Sequence, residues 1–287
     1  MKYAALALLL SGCAAAPPWQ PPTYHPTIAV VSVLNPASSL YPLGKTSYDD
    51  APKPAGITFD VNRQIRDTLH ADMAGTGRYA VVDMDVDPGI FAYSTYTQRA
   101  PSPLHPNSFF TLDPDLAKEL VSQARGTGAD FIVAAVDIRY QPVKCGKALA
   151  CALSLAADVL LDDAGWGLHY ANTPQCHSGA STYLNYYVFV IDTDSGDTVA
   201  SFQSDNDRYI KDINIDHQDM AALSGAQRTQ IGADLGDMVQ KSVNAALVNL
   251  KLVPGEPSAA APRTNPCLPG QEPAPVQPAA KPALNAP

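Results

Sequence analysis

One unit occurs twice in this sequence: a helical stripe, a Gly-Thr-Gly triplet and an apolar run that ends in aspartate. In the first copy Val61, Ile65, Leu69 and Met73 recur every four residues, Gly75-Thr76-Gly77 follows, and Tyr79 to Asp83 reads YAVVD. In the second, Leu116, Leu120, Val121 and Ala124 form the stripe, Gly126-Thr127-Gly128 follows, and Phe131 to Val136 reads FIVAAV before Asp137. Spacing of this kind marks one apolar face of a helix, and short, nearly unbroken apolar runs mark strands covered on both faces. Two helix-to-strand units in a row predict parallel strands joined by crossover helices. Because each glycine triplet follows a helix, it reads as a C-cap. A phosphate loop would instead lead into a helix N-terminus.

The remaining elements fit the same plan. Thr27 to Leu34 (TIAVVSVL) is apolar and β-branched, as a central first strand requires. Tyr183 to Asp192 and Asp197 to Gln203 flank Thr193-Asp194-Ser195-Gly196 and predict a hairpin. Ile231, Leu235, Met238, Val239, Val243, Ala246, Leu247 and Leu250 form the longest stripe, a closing helix laid on the sheet. The expected fold is α/β: a mixed, partly parallel sheet of about five strands packed by three or more helices, with an inserted segment at about 139–182.

The ends of the chain carry a different signal. Lys2, an apolar run from Tyr3 to Leu10, and Leu10-Ser11-Gly12-Cys13 read as a signal peptide over residues 1–12, since eight apolar residues cannot span a bilayer. Leu10-Ser11-Gly12-Cys13 resembles the bacterial lipobox, which implies acylation of Cys13, cleavage before it and, with Ala14 next, sorting to the outer membrane. Acyl chains buried at about 0.8 kcal/mol per methylene then anchor the protein to that membrane. Residues 13–26 hold five prolines and form a tether, residues 27–253 form the periplasmic domain, and residues 254–287, with ten prolines, form a disordered tail. With 19 Lys+Arg against 28 Asp+Glu and no basic stripe, no nucleic-acid partner is expected.

The strand TIAVVSV, the helix leading to GTGRYAVVD, the segment ARGTGADFIVAAV, the hairpin NYYVFVIDTDSGDTVASF and the closing helix resemble, in order and character, one α/β superfamily. It contains the curli-secretion lipoproteins, the lipoprotein activators of penicillin-binding proteins and the amino-terminal domain of TolB. The resemblance spans about residues 27–250. It implies a periplasmic, non-catalytic module that binds other envelope proteins. Two departures stand out. Residues 139–182 lack the clean alternation of a lipid-facing hairpin, and residues 204–226 are too short and acidic for a second one, which argues against a pore. The proline-rich reach lies after the domain, whereas in the synthase activators it precedes it.

Asp83, Asp85 and Asp87 alternate as in a calcium loop, but Pro88 intervenes and Gly89 comes one place late, so an acidic turn is expected and no metal. Gly44-Lys45-Thr46 lacks the first glycine of a phosphate loop. In an oxidising compartment Cys145, Cys151, Cys176 and Cys267 are disulfide candidates; proximity favours Cys145 with Cys151, leaving Cys176 to Cys267. A metal site of Cys176, His177 and His169 matches no zinc spacing. No nucleophile elbow and no His-Glu-x-x-His helix occurs. No cofactor is expected. Ala148 to Leu161 is a buried or partner-binding helix. Tyr93, Tyr96, Phe109 and Phe110, on a loop with three prolines, either cap the core or anchor an interface, since binding energy concentrates in rigid aromatic side chains; with Trp166 they are the partner-binding candidates.

The expectation is a lipid-anchored binding module, without catalysis, that supports assembly or regulation of a cell-envelope machine through an unidentified envelope protein. The alternatives are a subunit of an oligomeric curli-type secretion complex and a cell-wall-acting enzyme.

Overall fold

The computed structural model describes residues 19–43, 53–87, 90, 96–97, 111–137, 165–171, 180–210 and 223–257. In chain order these form β1 (Thr27–Val33), β2 (Ser39–Leu43), β3 (Lys53–Pro54), α1 (Val61–Ala74), β4 (Ala80–Asp83), β5 (Tyr96–Thr97), β6 (Thr111–Leu112) and α2 (Pro114–Ala124). A 3-10 turn (Arg125–Thr127), β7 (Phe131–Asp137), β8 (Gly165–Ala171), β9 (Ala180–Asp192), β10 (Thr198–Ile210) and α3 (Gly225–Asn249) follow.

Both helix-to-strand units form as the sequence indicates. β1 lies between β4 and β7 and is parallel to each, with Ile28 opposite Val81 on one side and Phe131 on the other. Asp60 caps α1 by accepting the Arg63 N–H, and Asp113 caps α2 by accepting the N–H groups of Asp115 and Leu116. After each helix a glycine takes the left-handed conformation, Gly77 at φ 64° and Gly128 at φ 68°, and turns the chain into the next strand.

The predicted faces are the buried ones. Val61, Ile65, Leu69 and Met73 of α1 and Ile231, Leu235, Val239 and Val243 of α3 cover one face of the sheet, against Ile28, Val30, Val133 and Val188. Leu116, Leu120, Val121 and Ala124 of α2 cover the other, against Ala29, Val31, Ile132, Ala134 and Phe189. Successive residues along each central strand alternate between the two layers, and the helices lie on both faces of the sheet, as the α/β class requires. α3 starts on a capping box between Ser224 and Gln227. It ends where Lys251, at φ 59°, turns the chain back so that Leu252 and Val253 bury against it.

The sheet is larger than expected, with eight strands among the described residues instead of about five. β2 and β3 arise from a stretch whose proline and serine content reads as loop, and β8 arises inside the segment at about 139–182. The hairpin also runs further: β10 continues past Gln203 to Ile210, paired residue by residue with β9 back to Ala180. None of these strands has an apolar run of its own. They are made by the edges offered to them.

Those edges give the sheet an unusual layout. Residues Tyr186 to Asp192 of β9 pair with β7, and residues Ala180 to Asn185 of the same strand edge pair with β8. β8 therefore continues the line of β7, with Asp137 opposite Tyr186 and Gly165 opposite Asn185. In the same way β2, parallel to β8, continues the line of β1. Two interrupted strands lie side by side, and their breaks form one seam across the sheet at the carboxyl ends of β1 and β7.

Candidate functional site

In open α/β sheets ligands bind beyond the carboxyl ends of the parallel strands, where neighbouring connections leave on opposite faces. Here that place is the seam and the adjoining ends of β1 and β4. The segment between β1 and β2 begins Leu34-Asn35-Pro36, and three side chains hold it. Asp137, the last residue of β7 and 2 % exposed, accepts the Asn35 backbone N–H through Oδ2 at 2.7 Å. The Trp166 indole N–H donates to the Asn35 carbonyl at 2.9 Å. Asn62, in the first turn of α1, accepts the Leu34 N–H and the Ser32 hydroxyl through Oδ1 and donates its amide to the Leu34 carbonyl, each at 2.8 Å. Asn35 closes the turn by accepting the Ala37 N–H at 3.0 Å.

Beyond the seam the sheet is close-packed backbone to backbone. A Cβ on Gly167 would lie 1.9 Å from the Ser39 carbonyl oxygen, so β2 and β8 approach as they do only because that side chain is missing. Opposite these glycines β9 presents Tyr183 and Asn185, both buried. On the helix side, the Tyr186 hydroxyl and Ser242 Oγ are hydrogen-bonded at 2.8 Å, and burial pushes the phenol well above its ordinary pKa.

At the neighbouring end of β4 the acidic residues engage α1. His70 Nδ1 lies 2.8 Å from Asp83 Oδ1, and Arg66 lies 3.3 Å from Asp85. Gln123 of α2 accepts the Asp87 N–H at 3.2 Å. The carboxylates of Asp83 and Asp85 thus engage separate partners, and among the described residues no three His, Cys, Asp or Glu side chains gather in a metal-binding group. His70 with Asp83 is the kind of pair that orients a general base, but among the described residues no hydroxyl or thiol is hydrogen-bonded to its other ring nitrogen. The polar groups at this end of the sheet hold backbone in place and hold one another.

Of the residues singled out from sequence, Trp166 needs correction as a docking aromatic. It is 1 % exposed, packs on Phe59 with ring centroids 5.8 Å apart and donates its N–H inside the fold. Its apolar rings and single N–H are both satisfied by this chain. Tyr96 lies in β5, a short strand paired with β6. Cys13, Cys145, Cys151, Cys176, Cys267, Tyr93, Phe109 and Phe110 lie outside the described residues, as do Gly44-Lys45-Thr46, Gly89, His177 and Ala148 to Leu161. Asn35, Asn62 and Ser32 were not singled out. The Asn-Pro step straight after an apolar strand is the one local signal that marks the turn.

The opposite rim, at the amino ends of β1, β4 and β7, receives the tether. Trp19 meets Phe131 edge-on with centroids 6.4 Å apart, the Pro26 carbonyl accepts the Ala80 N–H, and Asp130 accepts the Thr27 N–H. The hairpin tip is fastened to the same rim by Thr193, which donates to the carbonyls of Ala129 and Asp130. Pro21, Pro22, Thr23, Tyr24, His25 and Arg78 line an open surface hollow there. Partial desolvation and then the carboxylates of Asp130, Asp192 and Asp194 raise the Tyr24 hydroxyl above its ordinary pKa.

No protein-family model matches this chain, and no curated protein does. Solved structures similar to it include a Xanthomonas campestris protein of the family-model DUF330, at 9 % identity and TM-score 0.39, covering 80 % of this chain and 87 % of that one. A PelC dodecamer from Paraburkholderia phytofirmans is similar at 12 % identity and TM-score 0.31, covering 81 % of this chain and 95 % of that one. A hypothetical protein from Chlamydia trachomatis is similar at 12 % identity and TM-score 0.28, covering 77 % and 99 %. Likenesses this loose in sequence and backbone fix neither the family nor the activity of this chain.

Proposed function

We propose that this chain is an outer-membrane lipoprotein, acylated at Cys13 and facing the periplasm, whose α/β domain binds another envelope protein and performs no chemistry. The observation that carries this reading is how the polar residues at the seam are engaged. Where an α/β enzyme aims free side chains at a ligand, Asn62 here holds the backbone of Leu34, and Asp137 and Trp166 hold that of Asn35. The lipobox-like Leu10-Ser11-Gly12-Cys13 supplies the anchor in this reading, and the acidic balance of 19 Lys+Arg against 28 Asp+Glu excludes a nucleic-acid partner from it.

The test is made in cells with the full chain. Labelled palmitate is expected in the wild-type protein and absent from Cys13→Ala. Crosslinking followed by mass spectrometry is expected to recover an envelope protein with the wild type, and less of it with Cys13→Ala. Absence of acylation, or recovery of no envelope protein from an acylated sample, overturns the reading.

A further inference from the structure

We propose that the amino rim of the parallel strands is the face this domain turns toward a zwitterionic lipid surface, with Trp19 and Tyr24 nearest the headgroups and the seam turned away. This rests on the anchoring of Cys13 proposed above and adds an orientation to it.

Covalent reach decides which end can lie near the membrane. Trp19 is six residue steps from Cys13, and at roughly 3.3–3.6 Å per residue these span at most about 22 Å. Trp19 is fixed on Phe131 at the amino end of β7, and the next residues run over the start of β1 to Pro26, whose carbonyl accepts the Ala80 N–H. Asn35 at the seam lies eight residues along the strand direction from Thr27, which is about 26 Å at roughly 3.3 Å per residue. The tether is too short to bring the acyl chains to the far end.

The surface at this rim suits that position. Tyr24, 57 % exposed, is the one large hydrophobic side chain exposed among the described residues, and it sits in the segment that leads to the anchor. Tyr and Trp, with an apolar body and a polar tip, are the side chains that settle at headgroup level. Arg78 and His25 share the rim with Asp130, Asp192, Asp194 and Asp197. An acidic excess is repelled by anionic lipid, so the surface matched is one of phosphatidylethanolamine and phosphatidylcholine.

The two tryptophans of the chain lie at opposite ends and report the orientation directly. The full-length protein is reconstituted in phosphatidylethanolamine–phosphatidylcholine vesicles with a quencher fixed at headgroup depth, and the acyl state of Cys13 is read by mass spectrometry on the same sample. The Trp19 share of the emission is the difference between wild type and Trp19→Phe. Most of that share is expected to be lost, while the Trp166 emission that remains in Trp19→Phe keeps its intensity. Asp194→Trp in the otherwise wild-type chain adds a reporter at the hairpin tip, and its added emission is expected to be lost too. An acylated protein in which Trp166 is quenched as strongly as Trp19, or in which neither rim reporter is quenched, overturns the orientation alone. A Cys13 without acyl chains overturns the anchoring and the orientation together.

Discussion

Asp137 at the end of β7 accepts the backbone N–H of Asn35, which lies just beyond the end of β1, at 2.7 Å. The two residues are far apart in sequence and belong to neighbouring parallel strands that stop at the same level. The carboxylate closes the gap where both strands break before β2 and β8 resume their lines. A charged acceptor at a backbone N–H is among the stronger single hydrogen bonds in a fold, and this one is part-buried.

Replacing Asp137 with Ala leaves that part-buried N–H without its acceptor. The expected loss is about 1.5–3 kcal/mol, the range for hydrogen bonds to charged groups, measured by urea unfolding. Amide exchange separates this from a general weakening. Residues 39–43 and 165–171, beyond the seam, are expected to exchange faster, while 27–33 keep their protection. Equal acceleration on both sides of the seam would show that it does not divide the sheet.

Glycines in this chain are expected to respond in opposite directions. Gly167→Ala places a methyl group 1.9 Å from the Ser39 carbonyl oxygen, so β2 must move off β8. A cost of about 3 kcal/mol or more is expected in chemical denaturation. Gly236→Ala in α3 meets nothing within 4 Å, so only the helix preference acts. That variant is expected to be more stable by about 1 kcal/mol.

Asp237 links stability to acid. Its hydrogen bond with Lys241, and then the Arg208 guanidinium, hold its carboxyl below the ordinary carboxylate value. A depressed pKa in the folded state contributes stability above the unfolded pKa, about 4 for Asp, and loses it as pH falls through the folded value. Asp237→Asn is therefore expected to be less stable than wild type at pH 7, by under about 1 kcal/mol because the site is partly solvent-screened. The gap is expected to narrow in unfolding experiments as pH falls through the folded value, where the wild-type carboxyl takes up its proton in both states. A gap that persists there would assign the effect to packing.

Tyr186 acts at the other end of the scale. Burial raises its hydroxyl pKa, despite the hydrogen bonds with Ser242 and Ser204 that favour the phenolate. A raised pKa in the folded state means that its contribution is full below the unfolded phenol value and is lost as pH climbs above about 10. Tyr186→Phe removes the bond to Ser242 while that hydroxyl keeps its bond to the Val239 carbonyl. A loss of about 0.5–1.5 kcal/mol is expected at pH 7, shrinking at strongly alkaline pH, as read from urea midpoints along the pH series.

Local sequence sufficed for part of this molecule. β1, β4 and β7 and the three helices among the described residues were legible because each carries its own apolar run or stripe, and α1 and α2 are followed by a glycine that can take positive φ. The Asp192 turn was legible for the same reason, since Asp192 bonds the N–H groups of Asp194 and Ser195 within its own loop. The candidate site was far less so. Trp166 reads as a partner-binding aromatic until Phe59 and the Asn35 carbonyl are seen around it.

What the sequence determined by itself is the alternation of parallel strands and crossover helices, because backbone preference and the spacing of apolar residues act over a few positions. Tertiary structure alone decided the rest of the sheet. The strands of Ser39–Leu43 and Gly165–Ala171 form on edges supplied by β9 and by each other, and Asp137 finds its use only when Asn35 arrives beside it. Hydrogen bonds between residues a hundred positions apart leave no local pattern, since either partner alone is a polar residue at the end of a strand.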